Sequence, residues 1–396
     1  MNPLAGTFLR ALLRAALAAV DAGRATASAL SRRDVARALR GAGRVGIFAC
    51  GKAATGMFEA AWRTGREGLV VLPRGYAPPR RRPGARVLFA AHPEPDGRSV
   101  AAARAAVAFV ERFGRDDVVL CLVSGGSSSL LCLPRRGVTL ARKRGEVRRL
   151  VESGASIVEV NRLRTSLSAI KGGKLARATA ARIVTLVVSD VPGDVPSRVG
   201  SGPTIRRRAG DLTRVIASNR DGLAGAAREA RRLGLTPRTR RTRLAGEAVA
   251  AGRLMGAAVR RLPTGEAVLA GGETTVALGR RGGRGGRNLE AALAAALALD
   301  GLRDAAMLFA ASDGKDGSSD AAGVIVDGGT AGRARRQRLD PLRALSFHDT
   351  EPFFERAGGL VVTGPTGTNV ADWAFGVRGY PMGNGKRKTG NEKGSK

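Results

Sequence analysis

Uninterrupted apolar runs alternate with helix-like segments along most of the chain, and each run stops at a polar, glycine-rich sequence. Apolar runs of this length are typical of strands that are buried on both faces of a parallel sheet. They predict strands at residues 44–50, 68–73, 86–90, 117–123, 183–188 and 214–218. Between them, helices are predicted near residues 5–22, 51–66, 98–113, 139–152 and 166–180. This alternation predicts an α/β fold whose N-terminal domain is doubly wound, or Rossmann-like.

A second, smaller α/β block follows, and we expect it to form a C-terminal domain. Its predicted strands lie at residues 267–270, 306–311 and 359–363, with an alanine-rich helix at 289–299. We place the boundary near residue 250, which gives an N-terminal domain of residues 1–250 and a C-terminal domain of residues 251–375. Residues 376–396 lose the pattern and are rich in glycine and lysine, so we expect a disordered basic tail.

The polar residues that follow the predicted strands point to a shared site. Ligands of open α/β sheets bind outside the carboxyl ends of the strands, where the following loops meet at one edge. The residues that this rule collects are Lys52, Ser124, Asp190, Asp194, Asp313 and Asp316. We therefore expect an active site at this edge.

Two of these loops carry groups that suit an anionic ligand. The sequence Ser124-Gly125-Gly126-Ser127 can present backbone N–H groups and hydroxyls to an oxyanion or a phosphate. Lys52, at a strand end and a helix start, can meet an anion there. The alternatives are a tight strand-to-helix turn for the serine–glycine sequence and a solvated surface side chain for Lys52.

Carboxylates and arginines supply the other candidates. Asp190 and Asp194 can ligate Mg²⁺ or orient a hydroxyl group, or they can simply cap a turn. Asp313 opens a second acidic sequence whose carboxylates suit Mg²⁺ beside phosphates. Arg284 and Arg287 lie among glycines that let the backbone approach a phosphoryl group or a carboxylate. Arg287, which opens a helix, is the stronger candidate, and a surface position is favoured for Arg284.

The formal net charge of +34 raises the question of an anionic partner such as nucleic acid. Of the 67 basic residues, 58 are arginine, and they scatter over the predicted helices. Aromatic residues, which stack on bases in single-strand binders, make up only 4% of the chain. We interpret the arginines as a solvated surface. A basic nucleic-acid binder is the alternative.

The remaining composition excludes other kinds of site, and the candidate residues favour metal-assisted phosphoryl transfer. Three cysteines without metal or redox spacing and only two histidines argue against a zinc site and are typical of a cytoplasmic protein. No apolar segment reaches the length of a membrane span. The candidate cations, carboxylates and glycine–serine loops are the groups that phosphoryl transfer uses. From the residues alone, we expect a kinase that acts on a sugar acid or another small metabolite.

A series of motifs in the chain resembles the glycerate 2-kinase family, whose C-terminal part is known as the MOFRL domain. In the N-terminal block the matching motifs are residues 49–53, 92–96, 124–127, 159–164, 167–174, 189–194 and 201–204. In the C-terminal block they are residues 271–275, 284–288, 313–317 and 363–369. They follow the order of the family and cover residues 1 to about 373, which makes the resemblance far more specific than one glycine-rich loop.

The resemblance implies transfer of the ATP γ-phosphate to the 2-hydroxyl of D-glycerate, with Mg²⁺. It assigns catalytic positions to Lys52, Asp190, Arg287 and Asp313. As a hypothesis, Lys52 and Arg287 neutralise phosphate charge, Asp190 positions or deprotonates the hydroxyl, and Asp313 with Asp194 holds Mg²⁺. The loop from Ser124 to Ser127, with Gly125 and Gly126, would bind the glycerate carboxylate or a phosphate. The expected partners are D-glycerate and ATP, with no membrane and no nucleic acid, and a homodimer is left open.

One departure from the family pattern keeps other functions open. The segment that follows Thr204 is shorter than in the family, because Ile205-Arg-Arg-Arg208 leads almost at once to the next strand. The alternatives are therefore a hydroxypyruvate reductase-type enzyme, an inactive relative and a basic nucleic-acid-binding relative. A reductase needs a dinucleotide fingerprint, and no predicted strand here ends in G-x-G-x-x-G.

Overall fold

The first of two sheets is fully parallel. The computed structural model describes residues 3–154, 157–239, 243–277 and 282–379. The strands of this sheet are β1 (Val45–Cys50), β2 (Glu67–Pro73), β3 (Ala85–Ala90), β4 (Val118–Val123), β5 (Arg182–Val188) and β6 (Leu212–Ala217). They lie in the order β3-β2-β1-β4-β5-β6, and every neighbouring pair is parallel. The predicted doubly wound N-terminal fold is therefore confirmed.

Helices cover both faces of this sheet, because its strands are apolar on both sides. They are α1 (Pro3–Ala19), α2 (Ala22–Leu30), α3 (Arg33–Leu39), α4 (Ala54–Ala61), α5 (Gly97–Val110), α6 (Ser127–Leu130), α7 (Leu140–Glu152), α8 (Ile157–Ser166), α9 (Lys174–Arg177) and α10 (Asn219–Arg232). One buried core contains Ile47 and Met57, and the other contains Phe48 and Phe109. Alternate residues of β1 thus serve opposite layers, as the period of a strand requires. No helix in the described ranges is long and apolar enough to cross a membrane.

The second sheet is mixed, with an antiparallel centre. Its strands are β7 (Thr236–Thr239), β8 (Glu266–Gly272), β9 (Ala305–Ala311), β10 (Gly323–Asp327), β11 (Leu360–Val361) and β12 (Asp372–Arg378), in the order β11-β10-β9-β12-β8-β7. β12 is antiparallel to both β8 and β9. The helices of this part are α11 (Ala248–Arg260), α12 (Arg287–Ala298), α13 (Thr330–Arg336), α14 (Pro341–Ser346) and α15 (Thr350–Ala357). The predicted second α/β unit is confirmed. The chain changes sheets between β6 and β7, and the boundary near residue 250 stays a prediction.

The structure corrects several secondary-structure predictions. The helix predicted at 166–180 is wrong, because Gly172 and Gly173 have φ values of 65° and 76°, which no α-helix accommodates. Only the four residues of α9 are helical beyond that point. The strand predicted at 359–363 shrinks to β11, since Gly359 and Gly364 also have positive φ. Strands β7, β10 and β12 were not predicted. β12 was missed because Asp372, Gly376 and Arg378 interrupt its apolar pattern.

The two sheets pack against each other through the first and tenth helices. Residues of both sheets share one buried core, in which Leu9 of α1 and Trp373 of β12 are fully buried. The Asn219 side chain at the start of α10 donates hydrogen bonds to the carbonyls of Val370, at 2.8 Å, and Asp372, at 3.0 Å. These contacts fix the loops of one sheet relative to those of the other. Residues 376–378 of the expected disordered tail belong to β12, so that part of the prediction is wrong. From residue 380 onward the expected tail lies outside the described residues.

A buried ion pair holds the short segment that follows Thr204. Arg206 Nε lies 2.7 Å from Asp211 Oδ2, and both side chains are only 7% exposed. The same guanidinium donates to the carbonyls of Ala176, Thr179 and Ala181, where β5 begins. The segment is therefore short but anchored to the residues that precede β5.

We expect Arg206→Ala to lower the free energy of unfolding by about 3–5 kcal/mol, because it leaves the Asp211 carboxylate buried without its cationic partner and with only the Ile183 N–H donating to it. Urea denaturation followed by circular dichroism measures this change. Arg207→Ala is the matched control, because Arg207 is exposed in the same segment and its loss should change stability by less than about 0.5 kcal/mol. Equal effects of the two substitutions would contradict the anchoring role.

Candidate active site

Two loops at the carboxyl end of the parallel sheet are hydrogen-bonded to each other and place Lys52. The backbone N–H of Lys52 donates to the carbonyl of Gly125 at 2.9 Å, and that of Ser124 donates to Cys50 at 3.0 Å. Gly51 has a φ of 121°, and a Cβ there would lie 2.2 Å from Ser124 Oγ. Glycine is therefore required for the close approach, which fixes the direction of Lys52.

The two serine hydroxyls of the glycine-rich loop are used inside the loop itself. Ser124 Oγ accepts a hydrogen bond from the Ala53 N–H at 3.0 Å, and Ser127 Oγ donates to the Cys50 carbonyl at 2.9 Å. Both serines are fully buried. The loop presents its glycines instead: a Cβ on Gly125 would lie 2.1 Å from Asp190 Oδ2, and Gly126 packs beside His92. Binding of an anion by this loop stays a prediction. Because both hydroxyls are used inside the loop, the backbone N–H groups would have to bind the anion.

Lys52 reaches from the first sheet to the second. Its Nζ donates a hydrogen bond to Asp313 Oδ2, and the side chains are 16% and 8% exposed, respectively. Asp313 follows β9, and its other oxygen accepts the Lys315 N–H at 3.1 Å. An ion pair between the two halves of the molecule thus forms the centre of the candidate site.

Asp190 stands beside this pair, at the end of β5. Its Oδ2 accepts a hydrogen bond from Asn369 Nδ2 at 3.2 Å, so the carboxylate is also held from the second half of the molecule. Burial raises the pKa of Asp190 to about 7, with Glu273 adding repulsion and Lys52 opposing it. A carboxyl with this pKa exchanges protons near neutral pH, which suits a general base.

Arg287 is held between two carboxylates at the start of α12. Its Nη1 lies 2.9 Å from Glu273 Oε1, and its Nη2 donates to Asp372 Oδ1 at 3.1 Å. Asp372 is 2% exposed, and Arg287 is 31% exposed. Burial opposes the charge of Arg287, but Asp372 and Glu273 outweigh it and raise the pKa of the guanidinium. Arg287 is therefore a permanently charged donor whose direction is fixed by Glu273 and Asp372.

A cavity of about 370 Å³ lies between the two halves, and its lining includes Asp190, Asp194, Arg220, Arg243 and Glu273. The loop after β5 places Asp194 on this cavity, at a φ of 53°. Asp316 has a different environment. Its carboxylate accepts the N–H groups of Asn288 and Leu289 and caps the first turn of α12.

The structure thus brings Lys52, Asp190 and Asp313 close to one another, and Arg287 pairs with Glu273, whose carboxylate acts on the pKa of Asp190. Arg284 points elsewhere: its Nη2 lies 2.7 Å from Glu355 Oε1, and the side chain is 58% exposed. No group of three or more acidic, histidine or cysteine side chains in the described ranges forms a metal cage. Asp194 and Asp313 as metal ligands, and Arg284 as a phosphate contact, stay predictions.

Three polar residues beside Arg287 and Asp190 were not predicted as site residues, although two of them lie in the motifs 271–275 and 363–369. They are Glu273, Asn369 and Asp372, which contact Arg287 or Asp190. Glu273 directly follows β8, so the rule that sites form at strand ends could have found it. Asp372 is the first residue of β12, and it was missed together with that strand.

Two family models match the chain. One, described as a domain of unknown function (DUF4147), matches residues 8–224, and the other, the MOFRL family, matches residues 266–372. A protein of Agrobacterium vitis that is provisionally named a hydroxypyruvate reductase is 41% identical over 83% of this chain and 98% of its own length. The D-glycerate 2-kinase of Thermotoga maritima is 35% identical over 84% of this chain and 90% of its own length.

A solved structure shares the fold. The crystal structure of a glycerate kinase from Thermotoga maritima superposes with a TM-score of 0.80 at 32% sequence identity. The match covers 94% of this chain and 99% of that one. The match therefore extends over most of both halves of the chain.

Proposed function

The chain belongs to the MOFRL/DUF4147 glycerate kinase family, and from this premise we propose that it is a glycerate 2-kinase. It would use ATP and Mg²⁺ to phosphorylate the 2-hydroxyl of D-glycerate and release 2-phosphoglycerate and ADP. The observation that carries the proposal is the Lys52–Asp313 ion pair across the cleft, with Asp190 and Arg287 beside it. A cytoplasmic location and a homodimer stay predictions of the sequence.

The two cations suit the charge that phosphoryl transfer redistributes. In such reactions catalysis comes mainly from positioning and from neutralising the negative charge on the phosphoryl oxygens. Lys52 is held by the paired loops of the first sheet, and Arg287 is held by Asp372. Both are oriented before a substrate binds, so little free energy is needed to arrange them.

Asp190 is the residue best suited to the substrate hydroxyl. We assign it to accept the proton of the 2-hydroxyl as the oxygen bonds to phosphorus and the bond from that phosphorus to the ADP oxygen breaks. The raised pKa makes the carboxylate a stronger base than an exposed aspartate. The Asn369 amide fixes one carboxylate oxygen and leaves the other for the substrate.

The carboxylates fit Mg²⁺ bound in the manner of nucleotide-dependent enzymes. There Mg²⁺ takes one or two protein carboxylates, and its other ligands are water and phosphate oxygens, so a full protein cage is not required. Asp313 and Asp194 are the proposed ligands, since Asp194 lines the cavity between the two halves and Asp313 pairs with Lys52. The ion would supply neutralisation of phosphate charge.

A hydroxypyruvate reductase is the second candidate, because the relative from Agrobacterium vitis carries that name. The parallel sheet has the strand order of dinucleotide-binding domains, which also allows it. However, β1 is followed by Gly51-Lys52-Ala53, not by G-x-G-x-x-G, and β2 is followed by Arg74 rather than an acidic residue that could bind a ribose. These residues favour the kinase.

The two candidates are separated by their co-substrates. We expect the purified protein to release ADP only when D-glycerate, ATP and Mg²⁺ are all present. With hydroxypyruvate and NADH or NADPH, we expect no oxidation of the nicotinamide above the rate without protein. Oxidation of NADH or NADPH that depends on hydroxypyruvate, without release of ADP from the kinase mixture, would reverse the assignment.

A further inference from the structure

A second cavity, of about 570 Å³, opens beside the helix that follows the glycine-rich loop. Residues 93–95, which follow β3, and Ser128 and Ser129 of α6 form part of its wall. The rest is largely cationic and comes from α7, α8 and the turn before α9. These cations are Lys143, Arg144, Arg148, Arg164 and Lys171.

Two lysines of this wall are almost completely buried. Lys171 is 2% exposed and Lys143 is 4% exposed, although lysine is rarely buried unless it is paired. Lys171 Nζ donates to the carbonyl of Ser128 at 2.7 Å and to its hydroxyl. Lys143 Nζ donates to two carbonyls at 3.3 Å. An ammonium group has three N–H donors, and the contacts within the described ranges use two in each lysine.

Positive charge in this cavity exceeds the negative charge that lines it. Among the described lining residues, only Glu94 carries a carboxylate. That carboxylate is at the rim, 63% exposed, where it pairs with Arg144 and Arg148. Burial and the neighbouring charges of Lys143 and Arg164 lower the pKa of Lys171 to about 7. The cluster thus destabilises its own charges, and a bound anion would relieve this.

We propose that this cavity binds a phosphate-bearing anion through Lys143, Arg164 and Lys171. A phosphate group accepts hydrogen bonds through several oxygens and carries more than one negative charge, which matches several convergent donors and the excess of cations. Two molecules could supply the group, namely the phosphate chain of a nucleotide or a phosphorylated three-carbon acid. These cations have no part in the proposed function, but the choice of the two sources rests on that function.

Isothermal titration calorimetry of the full chain with tripolyphosphate, at fixed salt, tests the inference. We expect Lys171→Met and Arg164→Met each to weaken binding at least about tenfold, the effect of losing roughly 1.4 kcal/mol of interaction. Arg149→Gln is the matched control, because it removes the same positive charge as the cavity substitutions. Arg149 is exposed on α7 and does not line the cavity. Circular dichroism checks folding, and Arg164→Met decides if Lys171→Met does not fold.

Competition identifies the source of the phosphate. If ATP displaces tripolyphosphate and 2-phosphoglycerate does not, the cavity binds the nucleotide, and the reverse result assigns it to the phosphorylated acid. Unchanged affinity in both cavity variants, or an equal loss in Arg149→Gln, overturns the inference. Failure of the proposed kinase activity would not overturn this inference. A protein that shows no turnover but binds tripolyphosphate through Lys171 still has the anion site.

Discussion

Lys52→Ala should lower kcat for D-glycerate phosphorylation by about 10³-fold, the scale expected for loss of an oriented group that stabilises transition-state charge. The Lys52 ammonium is the cation that crosses from the parallel sheet to Asp313, and its direction is fixed by the paired loops that follow β1 and β4. Alanine removes this charge from the cleft. It also leaves Asp313 without its partner, so the variant combines lost catalysis with repulsion of the phosphates.

The matched control for this variant is Lys315→Ala. Lys315 is two residues from Asp313, but its side chain is 57% exposed and its Nζ lies 3.5 Å from Asp320, an exposed pair of small energetic value. We expect kcat to stay within about twofold of the unsubstituted protein, since no transition-state contact is lost. Circular dichroism confirms that both variants are folded. A near-normal kcat in Lys52→Ala would remove this lysine from the mechanism.

Asp190→Asn should lower kcat by about 10³-fold, within the range that general-base catalysis contributes. The pKa of Asp190 is raised to about 7, so the basic form is lost as the pH falls through neutrality. We therefore expect kcat/KM of the unsubstituted protein to rise with pH up to about 7 and to level off above it. The asparagine variant should lack this acidic limb, because it has no group that titrates there.

Asp194→Asn distinguishes a base from a metal ligand in the same loop. Asp194 lines the cavity between the two halves, and we propose that it helps to hold Mg²⁺. Its replacement should raise the Mg²⁺ concentration needed for half-maximal rate and should leave the acidic limb in place. If Asp190→Asn retains the acidic limb, another residue is the base.

The fold was largely predictable because most strands of this protein are continuous apolar runs. β1, β4 and β5 are fully apolar or nearly so, and their limits matched the prediction closely. β12 is central in its sheet, yet an aspartate, a glycine and an arginine interrupt its pattern. The helix predicted at 166–180 failed for a local reason, the two left-handed glycines. Apolar periodicity therefore found most of the strands with a continuous apolar sequence and missed β12, whose apolar pattern is interrupted.

The residues of the candidate site were also predictable only in part. Lys52, Asp190 and Asp313 follow predicted strands, so their convergence could be expected from topology. Asp372 holds Arg287 from a strand that the sequence did not reveal. The cationic cavity was equally hidden, because Lys143, Arg164 and Lys171 lie on separate segments whose packing no local pattern reports.

The most direct test of the proposed glycerate 2-kinase activity is the formation of 2-phosphoglycerate from D-glycerate and ATP in the presence of Mg²⁺. The product is detected by coupling to enolase, without a phosphoglycerate mutase. Enolase accepts only the 2-phosphate, so the signal reports both the transfer and its position. We expect a signal that requires all three components and disappears in Lys52→Ala. ADP release without an enolase signal would contradict transfer to the 2-hydroxyl. A folded protein that releases no ADP would contradict the kinase assignment itself.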